Sequence, residues 1–470
     1  MQSRKRLDST ARARSDTRAA RHSWQRSQVR WLLLFGDLVG VNLAALGALW
    51  LGVQRSTWWL AVASWDTYLG WFIFLSALWF VMAQLLDLYD LRVAGLPRRA
   101  VRATWGAVAG VFAVYLALYF IAAPQTLPRH LIVFFALLAA ASLTLWRGAV
   151  ALAMGAGPLA RRVVIVAGDE SARVLSQALR EHAPNYYRVV AQFDPKATPE
   201  TARALPMSKV DEVLVSAAAD LNDAWLALLV QWREQGAPVS NLAAVYEELT
   251  GRVPVEHVGK TWSVLLPLEQ DATRGLNGLV KRACDIIFSA LALLALAPFL
   301  PLLVLAVRLD SRGAILLRQT RVGQNGRVFW LYKFRSMIEH AEAPGAPQWA
   351  EEDDPRVTRV GKFLRRFKLD EAPQFWNVLR GEMALVGPRP ERPEIVEQLQ
   401  REIPFYRLRH VARPGLTGWA AIRYPYGRSV NDALIKLQYD LYYLKHQTLS
   451  LDALILFKTL GAVIAPPRAE

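Results

Sequence analysis

Four runs of apolar residues constrain this chain more than any other feature: about 31–53, 69–88, 104–123 and 130–154. Each is close to the ~20 residues a helix needs to cross a bilayer. Inside hydrocarbon every backbone N–H and C=O must be satisfied within the segment, so runs of this kind fold as helices. The linker at 89–103 carries Arg92, Arg98, Arg99 and Arg102, and Arg161 and Arg162 follow the fourth run, whereas 54–68 and 124–129 carry one arginine each. The bias of basic residues toward the cytoplasm predicts two short external loops and both ends of the bundle inside. Residues 1–30 hold nine Lys/Arg against two Asp. Such low hydrophobicity and high charge predict a disordered cytoplasmic tail held near anionic lipid. The net charge of +16 would also suit nucleic acid, but 53% hydrophobic residues, 17 tryptophans and the lack of a nucleic-acid motif point to a membrane surface. The single cysteine, Cys284, excludes an intrachain disulfide and a cysteine metal cluster. Within the spans Asp37 is the clearest ionisable residue. Its place near the basic end predicts a structural or headgroup role rather than transport.

Residues 161–262 change character. VVIVAG (163–168), VVAQFD (189–194), DEVLVSAA (211–218) and VSNLAAV (239–245) read as parallel strands separated by helices, a Rossmann-like α/β unit. A dinucleotide site wants G-x-G-x-x-G in the first turn. Here it reads Gly168-Asp169-Glu170-Ser171, so docking, regulation or homodimerisation suits the unit better than nucleotide binding. A fifth apolar stretch, 286–307, is charge-free yet basic on both flanks, with Lys281 and Arg282 before it and Arg308, Arg312, Arg318 and Arg321 after. Pro298 and Pro301 interrupt its middle, where a helix kinks. A re-entrant helix over about 283–307, entering from and returning to the cytoplasmic face, satisfies both facts. A fifth span is the alternative. Residues 315–337 read as two strands around Gln324-Asn325-Gly326, ending in the cations Lys333 and Arg335. His340 to Glu352 reads as a mobile acidic loop, and 451–465 as an interfacial amphipathic helix.

The densest chemistry lies between Asp353 and Arg392. Asp370 and Glu371 follow Arg365, Arg366 and Lys368 and precede Pro373, which predicts a helix starting there and running through Leu379. Adjacent helical residues point about 100° apart, so the two acids divide their work: one as nucleophile, the other as base or metal ligand. Arg389 stands between Pro388 and Pro390, a stiff loop presenting a planar fork suited to phosphate. An Asp-Glu pair alone is ordinarily a solvated helix face, and a Pro-Arg-Pro turn ordinarily just a turn. Their combination is what carries weight.

KFRSM (333–337), DPRVTRVG (354–361), LDEAPQFWNVLRGEM (369–383), VGPRPERPE (386–394) and RPGLTGWAAIRYPYG (413–427) resemble, in this order, the bacterial sugar transferases. These are polyprenyl-phosphate hexose-1-phosphate transferases, and LQYDLYYLK (437–445) is similar to their exopolysaccharide branch. The resemblance covers about 276–465, with the upstream chain like the family's long form. It implies a membrane protein of mixed α and α/β class: a four-helix region (31–154), a degenerate Rossmann-like domain (161–262) and a monotopic catalytic domain (276–470) with the broken helix at Pro298 and Pro301. It implies Asp370 as nucleophile, Glu371 as base or metal ligand, and Mg²⁺ at Asp370 or Glu371. Lys333, Arg335 and Arg389, and secondarily Arg356 and Arg359 with Asp354, are the implied phosphate or nucleotide ligands. The substrates would be a UDP-sugar, with glucose or galactose favoured, and polyprenyl phosphate at the cytoplasmic face of the inner membrane. Downstream glycosyltransferases would take the product. Ala372 and Ala421 stand where the family often has leucine and glutamine. Two other classes are weighed against this: an enzyme modifying nucleotide sugars through the Rossmann-like unit, and a transporter or sensor. The missing glycines and absent Tyr-x-x-x-Lys weigh against the first, and the scarcity of ionisable residues in the spans against the second.

Overall fold

The computed structural model describes residues 26–53, 65–121, 129–156, 160–206, 210–216, 219–257, 276–338, 355–424, 427 and 429–464. The tail over 1–25, most of the two expected external loops, residues 258–262, the acidic loop at 340–352 and Asp354 lie outside the described residues. The chain divides into two compact units, Met1–Thr250 and Gly251–Glu470.

In the first unit the apolar runs become α1 (Arg26–Val53), α2 (Trp65–Leu85), α3 (Pro97–Ile121) and α4 (Arg129–Ala156). Segments long and apolar enough to cross a bilayer are Ser27–Leu51, Pro97–Leu118 and Leu131–Gly155, with Asn277–Asp310 in the second unit. The apolar part of α2 is shorter, Leu69–Leu85, because the chain turns at Asp87, which has φ of 52°. Trp31, Phe35 and Trp50 point outward, as side chains facing lipid would. α1 and α4 approach closely: a Cβ on Gly36 would lie 2.1 Å from the Trp146 ring, a small-residue contact typical of membrane helix pairs.

Asp37 is fully buried and has a partner that the sequence reading overlooked. Arg147, inside the fourth apolar run, donates to its two carboxylate oxygens at 3.0 and 2.5 Å. Trp79 Nε1 and the Tyr89 hydroxyl each donate to Oδ2 at 3.1 Å, and Arg147 Nη1 reaches the Leu88 carbonyl at 2.7 Å. A buried carboxylate with four donor contacts is an internal pin. Of the two roles expected for Asp37, the structural one fits.

After the bundle come β1 (Arg161–Val166), α5 (Asp169–His182), β2 (Tyr187–Phe193), β3 (Glu212–Val215), α6 (Asp223–Glu234), β4 (Val239–Asn241) and α7 (Leu242–Thr250). The strands form a parallel sheet in the order β2-β1-β3-β4. β1 lies inside it and is almost wholly buried, which explains its unbroken apolar run. One core joins α5 and α7 to Val29, Leu33, Val150 and Met154 of α1 and α4. Trp225 and Trp232 of α6 close the other. The expected strand over 239–245 ends at Asn241, whose side chain accepts from Ala243 N at 2.9 Å. Beyond it Leu242, Val245, Tyr246 and Leu249 are buried at helical spacing, and that stripe decides for α7.

The second unit opens with α8 (Leu276–Leu296), a 3-10 turn at Ala297–Phe299 and α9 (Leu300–Asp310). A hairpin follows: β5 (Leu316–Val322) pairs antiparallel with β6 (Val328–Phe334), and Asn325 and Gly326 take φ of 55° and 78° at the turn, as a tight hairpin requires. Then come α10 (Arg359–Arg366), α11 (Gln374–Arg380), β7 (Ala384–Val386), α12 (Pro393–Glu402), β8 (Gly415–Thr417), α13 (Trp419–Arg423), α14 (Val430–Lys445) and α15 (Leu449–Ile464). β7 and β8 pair in parallel. The helix α15, expected at an interface, packs into the core: Ile455 is buried, and Asp452 binds Lys281 Nζ at 2.6 Å and the Tyr443 hydroxyl at 2.7 Å.

The apolar helix bends at Pro298. Arg282 donates to the Val378 and Leu379 carbonyls at 2.7 and 2.9 Å, capping α11. Val307, on the other limb, packs with Leu364 and Ala372 just before α11. A straight helix would separate Arg282 from Val307 by ~37 Å, whereas Ala372 and Val378 lie roughly 10 Å apart along a helix. The two limbs therefore fold back onto one unit. Between them, Ile287, Phe288, Leu291, Leu294, Phe299 and Leu302 are exposed.

Candidate active site

The hairpin, α10 and α11 converge on the acidic pair. Thr358 caps α10 by accepting from Gly361 N at 3.0 Å, and Gly361 lies against the Ser336 carbonyl, where a Cβ would come within 2.0 Å. Lys368 then takes a left-handed conformation, φ 57°, ending the helical path. Leu369–Glu371 forms its own 3-10 turn, and α11 begins after Pro373, as its sequence predicts. The pair thus precedes the helix by a few residues, and a seven-residue helix contributes little dipole field. Side-chain cations set its charge instead.

Asp370 and Glu371 open onto a cavity of about 270 Å³ whose cationic lining is Arg321, Lys333, Arg365, Lys368 and Arg389. Glu371 is held by Arg389, Nη2 to Oε1 at 2.8 Å. Among the described residues Asp370 makes no hydrogen bond or ion pair. Burial, then the neighbouring Glu371, pushes the Asp370 carboxyl above the usual carboxylate range, against the pull of Lys333, Arg365 and Lys368. Burial works on Glu371 in the same direction, but Arg389, Lys368 and Lys333 outweigh it and hold that carboxyl below the range. Two adjacent acids are thereby driven apart, the pattern of a divided catalytic pair. Behind the cavity Asn377 ties α11 to the hairpin, donating to the Trp330 carbonyl and to Glu382, each at 2.7 Å.

Of the expected phosphate ligands, Lys333 and Arg389 line the cavity, while Arg335, Arg356 and Arg359 do not. Arg335 is 7% exposed and directs its two Nη groups at the carbonyls of Val307, Ser311 and Ala314. It anchors the end of α9 to the hairpin. The strand ends at Phe334, so Arg335 does not continue the alternation that brings Lys333 into the cavity. Arg335→Met is expected to destabilise the second unit by about 2–4 kcal/mol, leaving three carbonyls short of donors. Thermal unfolding in detergent would register the loss. An unchanged midpoint with weakened nucleotide binding would instead return Arg335 to the site.

Arg321 and Gln319 were missed as lining residues, although their signal was present. Residues 319 and 321 share a face with 331 and 333 across the hairpin, in the period-2 alternation of paired strands. Gln374, in the first turn of α11, is 5% exposed and also reaches the cavity.

An acidic pair in a cation-lined cavity, in the same unit as a bent apolar helix, is an arrangement suited to gathering anions near an apolar surface. Residues 276–466 match the family described as bacterial sugar transferase, and 84–231 match one described as a CoA-binding domain. The exopolysaccharide production protein ExoY of Sinorhizobium fredii (strain NBRC 101917 / NGR234) is 37% identical over 217 residues, 43% of this chain and 93% of its own. The chain belongs to the bacterial sugar transferase family. A UDP-N-acetylgalactosamine-undecaprenyl-phosphate N-acetylgalactosaminephosphotransferase of Aeromonas hydrophila is 40% identical over 246 residues, 52% of this chain and 56% of its own. An undecaprenyl-phosphate glucose phosphotransferase of Komagataeibacter xylinus is 35% identical over 320 residues, 64% and 59% of the two chains. The chain thus spans somewhat more than half the length of these two relatives.

Proposed function

We propose that this protein transfers a hexose-1-phosphate from a UDP-sugar to polyprenyl phosphate at the cytoplasmic face of the inner membrane. That step would open exopolysaccharide or O-antigen repeat-unit assembly. The observation that carries the reading is the Asp370 carboxylate, without a hydrogen bond or ion pair among the described residues, in a cavity lined by five cations, with Glu371 held aside by Arg389. Asp370 attacks the sugar-bearing phosphorus, the bond to the α-phosphate oxygen breaks, and UMP leaves. An oxygen of the lipid phosphate then attacks the sugar-phosphoryl-aspartate, freeing the carboxylate and forming a lipid diphosphate sugar. Anions must meet in both steps, so the lining cations offset their mutual repulsion.

Among the described residues no group of three or more His, Cys, Asp or Glu could cage a metal. The adjacent carboxylates nevertheless fit Mg²⁺, which takes one or two protein carboxylates and completes its shell with phosphate oxygens and water. Held by Asp370 or Glu371, it would supply further charge stabilisation to the transferring phosphoryl group.

In this reading the bent helix is re-entrant. From Asp285, which accepts from Leu385 N at 3.1 Å, to Phe299 is ~21 Å of helix, against ~30 Å of hydrocarbon. The sheet of the first unit serves as a degenerate Rossmann-like accessory domain for docking or homodimerisation. Its β2 edge exposes Val189 and Val190, which supports a protein partner over a nucleotide. The test uses full-length protein in nanodiscs with Mg²⁺, polyprenyl phosphate and UDP-glucose, UDP-galactose or UDP-N-acetylgalactosamine. One donor should release UMP and yield a lipid-linked sugar. Folded protein that releases UMP from none of them overturns the reading.

A further inference from the structure

Beside the cavity lies a buried cation that the transfer chemistry does not use. Arg409, 5% exposed, donates from Nε and Nη2 to the Asp440 carboxylate at 3.0 and 2.8 Å. Its Nη1 donates to the Tyr406 hydroxyl at 2.6 Å, and Nη2 also reaches the backbone carbonyl of Arg389 at 3.1 Å. Asp440 stands on α14 and is 1% exposed. Burying such a pair gains little stability over well-packed apolar residues. What the pair does supply is a donor aimed at one particular carbonyl.

That carbonyl belongs to the loop carrying the arginine that faces Glu371. The loop's other side is also fixed: Gly415 N donates to the Pro388 carbonyl at 2.9 Å, and Gly387 N donates to the Thr417 carbonyl at 2.9 Å. A Cβ on Gly387 would lie 2.3 Å from the Arg413 carbonyl, so the backbones are in close contact. The Arg389 side chain itself is 58% exposed and long. A flexible side chain keeps a defined placement only if its root is held.

We propose that Arg409, clamped by Asp440 and Tyr406, is a positioning residue: it fixes the peptide at Arg389, so that the guanidinium holds Glu371 and faces the cavity. Arg409 touches no reacting atom and acts through Arg389. The activity arm of the test rests on the transferase reading, and the exchange arm does not.

The experiment compares Arg409→Lys and the milder Tyr406→Phe in full-length protein in nanodiscs. Lysine keeps a charge for Asp440 but loses the planar fork that also reaches the Arg389 carbonyl. UMP release should fall by about 10²-fold in Arg409→Lys, the scale of a small misplacement at a reacting centre. In an Arg389→Ala background the same change should cost less than about 2-fold, because residues acting through one another are not additive. Tyr406→Phe should show the same pattern with a smaller loss. Hydrogen exchange of the backbone amides between 384 and 392 should quicken in both variants, while that of α11 stays as in the wild type. Equal losses in both backgrounds, or an exchange rate unchanged at 384–392, overturn the proposal and leave Arg409 a core staple. Should the wild type release no UMP, the transferase reading falls and exchange alone judges the clamp.

Discussion

Asp370→Asn is expected to lower UMP release by about 10⁴-fold or more, the scale at which removal of a nucleophile leaves only binding and electrostatic stabilisation. No lipid diphosphate sugar should form. The variant should also be at least as stable as the wild type. Asp370 is half-buried beside Glu371, and its raised carboxyl makes ionisation costly in the fold. Stability from a carboxyl whose folded pKa is raised is present below its unfolded value, about 3.9, and is lost as pH rises through the folded one. At neutral pH the charge is a burden, and asparagine removes it, the familiar conflict between a poised site and a stable one. Activity runs the opposite way. In the proposed mechanism Asp370 attacks as the carboxylate, so kcat/KM should fall as pH drops through the raised value, on a limb lying above the range of a free carboxylate. Lys333→Met takes away a charge that pulls this carboxyl down and should move the limb to higher pH. UMP release that survives in Asp370→Asn would move the nucleophile to Glu371 or to the lipid phosphate itself.

The second large effect is expected far from the chemistry. Arg147→Met leaves Asp37 buried on α1 with Trp79 and Tyr89 as its remaining donors. Breaking one side of a buried pair costs about 3–5 kcal/mol. The variant should lose much of its thermal midpoint in detergent and accumulate poorly. Replacing both partners, as in Asp37→Leu with Arg147→Met, should recover most of the loss, because an apolar pair needs no desolvation. A double variant as unstable as the single one would mean that the donors left behind on Trp79 and Tyr89, rather than the charge, dominate.

These two predictions differ in how far the sequence alone could reach. The acidic pair, Pro373, the Asn325-Gly326 turn and the Pro-bounded Arg389 are local signals, each set by backbone chemistry within a few residues, and the structure realises the turn and the helix start where they were expected. The partner of Asp37 lies 110 residues away on another helix. No periodicity within α1 or α4 announces which charges meet. Arg335 lies off the cavity for a local reason: alternation holds only while the strand lasts. Arg409 was invisible as a clamp, because a carbonyl acceptor leaves no mark in the sequence. The α7 stripe was written plainly at helical spacing, yet its first residues also satisfied a strand.

The bent helix α8–α9 has a consequence for the lipid around it. With both limbs rooted in one unit, and seated as proposed, its exposed apolar surface enters and leaves through the same leaflet. Inserted volume then enlarges the cytoplasmic monolayer without enlarging its opposite. Each copy acts as a small wedge, favouring membrane where lipid packing is loose or the surface bows toward the cytoplasm. Crowding such wedges would raise lateral pressure against further insertion, so the density of this protein in a flat bilayer is expected to limit itself.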